Sequence, residues 1–180
     1  MFVFCLFDDF CFSSVLLIIF GIFSISLQFF GLDEEIIKNK NRENQLYIYI
    51  ISNGGSVTGG MQIVQAINSW VQSGISIACI TDVGLSMGFV ITQYCPIRYV
   101  TNSSILMQHQ ASLSVGGDVN RVNTYMSFVD TLTNKIDKHQ AKRLGMSIQN
   151  FKDKTRDDWW LTGFDAVKNN VADEIVNVVC

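Results

Sequence analysis

The run Leu46 to Ile51, apolar and β-branched with two tyrosines, stops abruptly at Ser52-Asn53-Gly54-Gly55, and no other feature constrains the fold as much. Such a run reads as a buried strand. The Ser-Asn-Gly-Gly cluster is a strong turn signal. Beyond it, Met61, Val64, Ile67 and Val71 recur at helical spacing between Gly60 and Gln72. A glycine-rich loop between strand and helix can also turn its backbone N–H groups toward an oxyanion.

The same alternation continues downstream. Ile75 to Ile80 reads as a second buried strand, and Gly84 to Tyr94 as a second helix begun at Ser86. Arg98 to Val100 and Ser104 to Gln108 read as strands. Val119, Val122, Met126, Val129, Leu132 or Thr133, and Ile136 mark a long amphipathic helix. Thr162 and Asp165 form a capping-box pattern for a short helix ending at Asn169 or Asn170, and Glu174 to Val179 reads as a closing strand. Alternating strands and helices predict an α/β fold with a parallel or mostly parallel sheet and right-handed crossovers. Sites in such sheets lie past the carboxyl ends of strands, where Gly55 and Ser86 both fall.

Two further segments carry chemistry. Gly84-Leu85-Ser86-Met87-Gly88 sets a serine between small neighbours, and Leu106 to Ser112 contains His109, one of only two histidines. A nucleophilic serine needs a sharp turn, room for a carbonyl, and an imidazole to take its proton. With Ser86 opening a helix, the Met87 N–H points outward at the positive helix end. Alone, Ser86 is an ordinary helix cap, and His109 beside Leu106 and Met107 is an ordinary core histidine. Only their combination with the glycine loop reads as a serine hydrolase. His139, between Lys138 and Gln140, reads as solvated. Asp153, Asp157, Asp158 and Asp165 all compete for the third position. An orienting carboxylate needs burial beside the imidazole, and Asp158, directly before Trp159 and Trp160, is the best placed.

Composition bounds the rest. At 180 residues the chain is long enough for one domain with a real core. A net charge of −3 and a pI near 5.2 give no reason to expect a nucleic-acid partner. Two histidines without ligand spacing make a poor metal site. Five cysteines with no C-x-x-C pair read as reduced, mostly buried thiols in a reducing compartment, Cys79 and Cys95 among them as packing residues. The chain divides into a hydrophobic segment, 1–32, and a domain, 33–180. Residues 10–32 carry no charge and are long enough to span a bilayer. Asp8 and Asp9 stand where a signal peptide would be positive. If the segment spans, Lys38, Lys40 and Arg42 place the rest of the chain inside. The alternative is a buried first strand, Leu16 to Phe23, followed by a core-facing helix ending near Asp33.

From about Leu46 onward the chain resembles the ClpP family, the proteolytic subunit of the ATP-dependent Clp protease. YIYIISNGGSVTGGMQI is similar to that family's strand and glycine-rich loop, GLSMGF to its nucleophile segment, SILMQHQAS to its base segment, and TRDDWWLTGFDAVKNNVADEIV to its end segment. Asn53 and Ala111 stand where proline is usual. The resemblance implies a ClpP/crotonase-like fold with mostly parallel sheets, crossover helices and a protruding handle helix, here Asp118 to Gly145. It implies a catalytic set of Ser86, His109 and Asp158, with Asp157 the alternative acid, and oxyanion donors at Gly55 and Met87. Gly54, Ser56 and Val57 would contact substrate, and Ser114 and Val115, in the strand region reaching Gly117, would pair with its backbone. It further implies two stacked heptameric rings, homomeric or mixed, fed with unfolded protein by a Clp-type AAA+ ATPase. No metal or organic cofactor enters the chemistry, and ATP is used by the partner. The compartment would be the cytoplasm or an organellar matrix or stroma.

Two other functions fit parts of the pattern. A ring subunit that kept the fold and lost activity would tolerate Asn53 and Ala111. Gly84 to Gly88 also satisfies G-x-S-x-G, the nucleophile elbow of small α/β-hydrolase esterases. That reading requires Ser, then acid, then His, so Asp130 or Asp137 followed by His139 would have to serve.

Overall fold

In a computed structural model, the described residues are 45–178 together with the backbone of 19–20 and 25–28. The strands are β1 (Ile19–Phe20), β2 (Ile25–Gln28), β3 (Gln45–Ser52), β4 (Ser76–Leu85), β5 (Ile97–Gln108), β6 (Trp159–Thr162) and β7 (Glu174–Ile175). Between them lie α1 (Val57–Gln72), α2 (Met87–Tyr94), α3 (Val119–Leu144), α4 (Ile148–Lys154) and α5 (Gly163–Lys168). One mixed sheet runs β1-β2-β3-β4-β5-β6, and β7 joins β5. Its centre, β3-β4-β5, is parallel, as the alternation predicts. The edges β1, β2 and β6 are antiparallel, and β7 is parallel to β5.

β3 buries alternate residues, Ile48, Ile50 and Ser52, rather than its whole length. Ile48, Ile50, Ile77 and Cys79 meet Ile63, Val64 and Ile67 of α1 and Val90 and Ile91 of α2 in the main core. The opposite face packs Ala78, Ile80 and Tyr99 against Val176, with Tyr47 and Tyr49 beside them. A second core joins Phe89 of α2 to Ala141, Leu144, Phe151 and Leu161. α2 is thus enclosed on both sides, with Met87 through Gln93 all buried. This enclosure fixes the helix that Ser86 begins.

Several expected elements differ. Arg98–Val100 and Ser104–Gln108 belong to one strand, because the Thr101 N–H bonds the Ser104 Oγ at 2.7 Å and that hydroxyl donates to the Thr81 carbonyl at 2.7 Å. The side-chain bonds bridge residues that slip out of register with β4. Residues 25–28 pair antiparallel with Ser52 to Tyr49 of β3, so this part of the expected first helix is a strand. Ile19–Phe20, within the expected first strand, is also a strand. Apart from 19–20 and 25–28, the 10–32 segment and the Lys38, Lys40 and Arg42 loop lie outside the described residues. Among the described residues no helix is long and apolar enough to cross a membrane. The closing strand is Glu174–Ile175 alone.

Cys79 and Cys95 correct the expectation of reduced thiols, since they are joined in a disulfide. Both are buried as predicted, at 0% and 1% exposure. The parallel crossover brings them together by returning α2 over β4.

α3 runs from an Asp118 cap to Gly145 in the left-handed conformation. Only Ile136, Gln140, Ala141 and Leu144 of this helix are buried, while Val119, Tyr125 and Phe128 are 74%, 48% and 60% exposed. Its first half projects from the body, which is the handle geometry.

Candidate active site

The elements converge at the carboxyl ends of β3, β4 and β5. Ser86 joins β4 to α2 and has φ 53 and ψ −111, a conformation that costs about 1–3 kcal/mol for a residue with a side chain. The Ser86 N–H donates to the Met107 carbonyl at 2.8 Å, hooking the turn onto β5. His109 follows the last residue of that strand, and its Nε2 lies 2.9 Å from Ser86 Oγ. A neutral imidazole accepting from the hydroxyl at that distance can take its proton.

Gly54 explains why the glycine loop must sit here. A Cβ on Gly54 would lie 2.8 Å from Ser86 Cβ and 2.9 Å from the Leu85 carbonyl, and its φ is +91. Only a bare backbone fits so close to Ser86. Gly55 follows with φ 144, and Met87 is the first residue of α2. Neither N–H has an acceptor among the described residues, which for Met87 is the ordinary state of a helix's first amide. Ser56 is occupied as the cap of α1, with its Oγ accepting from the Gly59 N–H at 3.4 Å. Val57 lines the cavity beside the site.

Asp158 Oδ1 lies 3.8 Å from His109 Nδ1. Asp157 turns away toward the Arg156 Nε at 3.6 Å, so of the two candidates only Asp158 is near the imidazole. The expected burial is absent, because the Asp158 side chain is 54% exposed and Trp160 is also 54% exposed. The short α4 and β6, neither anticipated from the sequence, carry the chain to this point. Ser114 and Val115 form no strand. They lie in an exposed irregular segment, and among the described residues no strand pairs with them.

His139 is half-buried rather than free in solvent. It stacks on Tyr94 with ring centroids 3.7 Å apart, and its Nε2 meets the Gln93 carbonyl at 3.1 Å. Burial pushes its pKa down, with Arg143 and Lys142 adding to the effect against the Gln93 carbonyl. The esterase order therefore loses its histidine, which bonds Gln93 and not Ser86.

Two buried glutamines escaped the sequence reading. Gln108 Nε2 donates to Gln140 Oε1 at 2.7 Å, and Gln108 Oε1 accepts the His109 backbone N–H at 3.2 Å. This chain ties α3 to the segment that carries the imidazole. Its signal in the sequence was a polar residue one turn after Ile136, on the buried stripe of the long helix.

Residues 35–179 match the family model described as Clp protease. The chain belongs to the Clp protease family. This family member is also 25% identical over 142 residues to a protein of Cutibacterium acnes, "ATP-dependent Clp protease proteolytic subunit 2". The match covers 78% of this chain and 66% of that subunit, just under two thirds of its length. The α/β architecture around Ser86 is the Clp protease fold.

Proposed function

We propose that the chain is a ClpP-type serine endopeptidase with Ser86 as nucleophile, His109 as base and Asp158 as the orienting carboxylate. The observation that carries this reading is the 2.9 Å contact between Ser86 Oγ and His109 Nε2 at the mouth of a cavity. Oγ attacks a peptide carbonyl as His109 takes its proton, and the Gly55 and Met87 amides receive the oxyanion, worth roughly 3–4 kcal/mol per donor. His109 then passes the proton to the leaving amine and activates the water that hydrolyses the acyl-enzyme. At 3.8 Å Asp158 is beyond hydrogen-bond distance, a gap of the kind that closes when substrate binds.

The chemistry requires no metal or organic cofactor. Substrate is unfolded protein delivered by a separate Clp-type AAA+ ATPase, and the active particle is a stack of two heptameric rings, in an ATP-containing cytoplasm or organellar matrix. Exposed Val119, Tyr125 and Phe128 on the projecting first half of α3 support assembly.

Fluorophosphonate labelling tests the reading, with the site mapped by mass spectrometry and the native mass taken on the same sample. Label on Ser86 in a many-subunit particle, lost in Ser86→Ala, is the expected result. An assembled particle without label identifies an inactive ring subunit, the reading that the exposed Asp158 favours. Retained label in Ser86→Ala removes the nucleophile.

A further inference from the structure

A cavity of about 390 Å³ opens at Ser86 and His109 and runs against α3 and α4. That volume lies within the usual range for small-ligand pockets. Apolar Val57, Val90, Met126 and Val129 form part of its wall, but α3 also sends Asp130 and Asp137 into the lining. Seven residues apart on one helix, they share a face about 10 Å apart along the axis. Lys152, the one ammonium in the lining among the described residues, donates to Asn134 Oδ1 at 2.6 Å. Asp137 has no hydrogen bond or ion pair among the described residues, although it is half-buried. Burial pushes its carboxyl up from the usual range, and Lys152 offsets this only in part. A charged carboxylate held this way gains from any cation that reaches it. Gln140, fully buried and tied to Gln108, fixes the same wall in place.

We propose that this cavity receives the substrate side chain on the acyl side of the scissile bond, and that Asp137 makes it select lysine or arginine. The inference rests on the serine-peptidase reading above. The methylenes of a basic side chain lie along Val90, Met126 and Val129 while its charged head reaches Asp137. An aliphatic side chain of equal length leaves that carboxylate desolvated and unpaired.

Peptidyl phosphonates carrying a lysine or a leucine analogue at that position test it, on the purified full chain, with an alkyl fluorophosphonate as the common reference. The lysine probe should label Ser86 at least about tenfold faster than the leucine probe, the effect of one partly desolvated charge pair. In Asp137→Asn the ratio should fall to near one, whereas Asp137→Glu, which keeps the charge, should preserve the preference. A leucine probe that reacts as fast or faster overturns the proposal, as does a ratio unchanged in Asp137→Asn. Fluorophosphonate labelling with neither peptidyl probe reacting overturns the pocket but not the peptidase. Failure of all three probes overturns both.

Discussion

Gly54→Ala is the most direct test of how the glycine loop supports Ser86. The new Cβ would meet Ser86 Cβ at 2.8 Å, the Leu85 carbonyl oxygen at 2.9 Å and the Met87 nitrogen at 3.3 Å. Two of the three are backbone atoms and none is the end of a flexible side chain, so the turn itself must shift. The φ of +91 adds about 1–2 kcal/mol for a residue with a Cβ. Overpacking adds about 1–3 kcal/mol, for a total near 2–5 kcal/mol. At roughly 2–4 °C per kcal/mol for a chain of this size, Tm should fall by about 5–15 °C. Because the displaced atoms belong to Ser86 and its neighbours, fluorophosphonate labelling should slow by about 10²-fold even at temperatures where the variant is folded. Gly116→Ala is the control, since nothing lies within 4 Å of its Cβ, and its stability should stay within about 0.5 kcal/mol of the parent. Differential scanning calorimetry and timed labelling read both effects. A Gly54→Ala protein with parental Tm and labelling rate would refute the close approach of the loop to Ser86.

Asp158→Asn should lower peptide turnover by about 10–10²-fold, less than the ~10⁴ typical of a buried triad acid, while Asp157→Asn stays near the parent; steady-state kinetics would expose a reversed order. Asp173 is desolvated, yet its pKa is lowered, because the Arg98 guanidinium and N–H bond it more strongly than burial opposes it. A depressed folded pKa contributes stability above the ordinary value of 3.8 that is lost as pH falls below it. Asp173→Asn should therefore cost about 2–3 kcal/mol at neutral pH, discounted for the 38% exposure of Asp173, and the two proteins should converge in urea melts below about pH 4. Reducing the Cys79–Cys95 disulfide, which spans 16 residues, should remove about 3 kcal/mol, read as a lower Tm in reductant with two newly alkylatable thiols.

Local patterns carried much of this architecture. The β-branched run before Ser52, the helical spacing after Gly60 and the Thr162–Asp165 capping box all form where the chain chemistry placed them. The box exists because both partners lie within one turn, so its geometry needs no distant residue. The meeting of Ser86 and His109 was legible for a related reason, as each directly follows a strand of the parallel sheet centre and such ends converge.

Contacts between distant segments decided the rest. That Asp158 rather than Asp157 lies near His109 is a matter of which way one turn faces, and sequence adjacency holds no information about that. His139 looked solvated among Lys138 and Gln140, yet the docking of α3 on α2 stacks it on Tyr94. Cys79 and Cys95 met because a crossover returned one helix over its own strand. Gln108 and Gln140 are 32 residues apart, and only packing makes them one hydrogen-bonded pair behind the imidazole. Periodicity and capping are short-range physics that a sequence displays directly. Side-chain direction and pairing across the core depend on how elements dock, and so they become visible only in the folded chain.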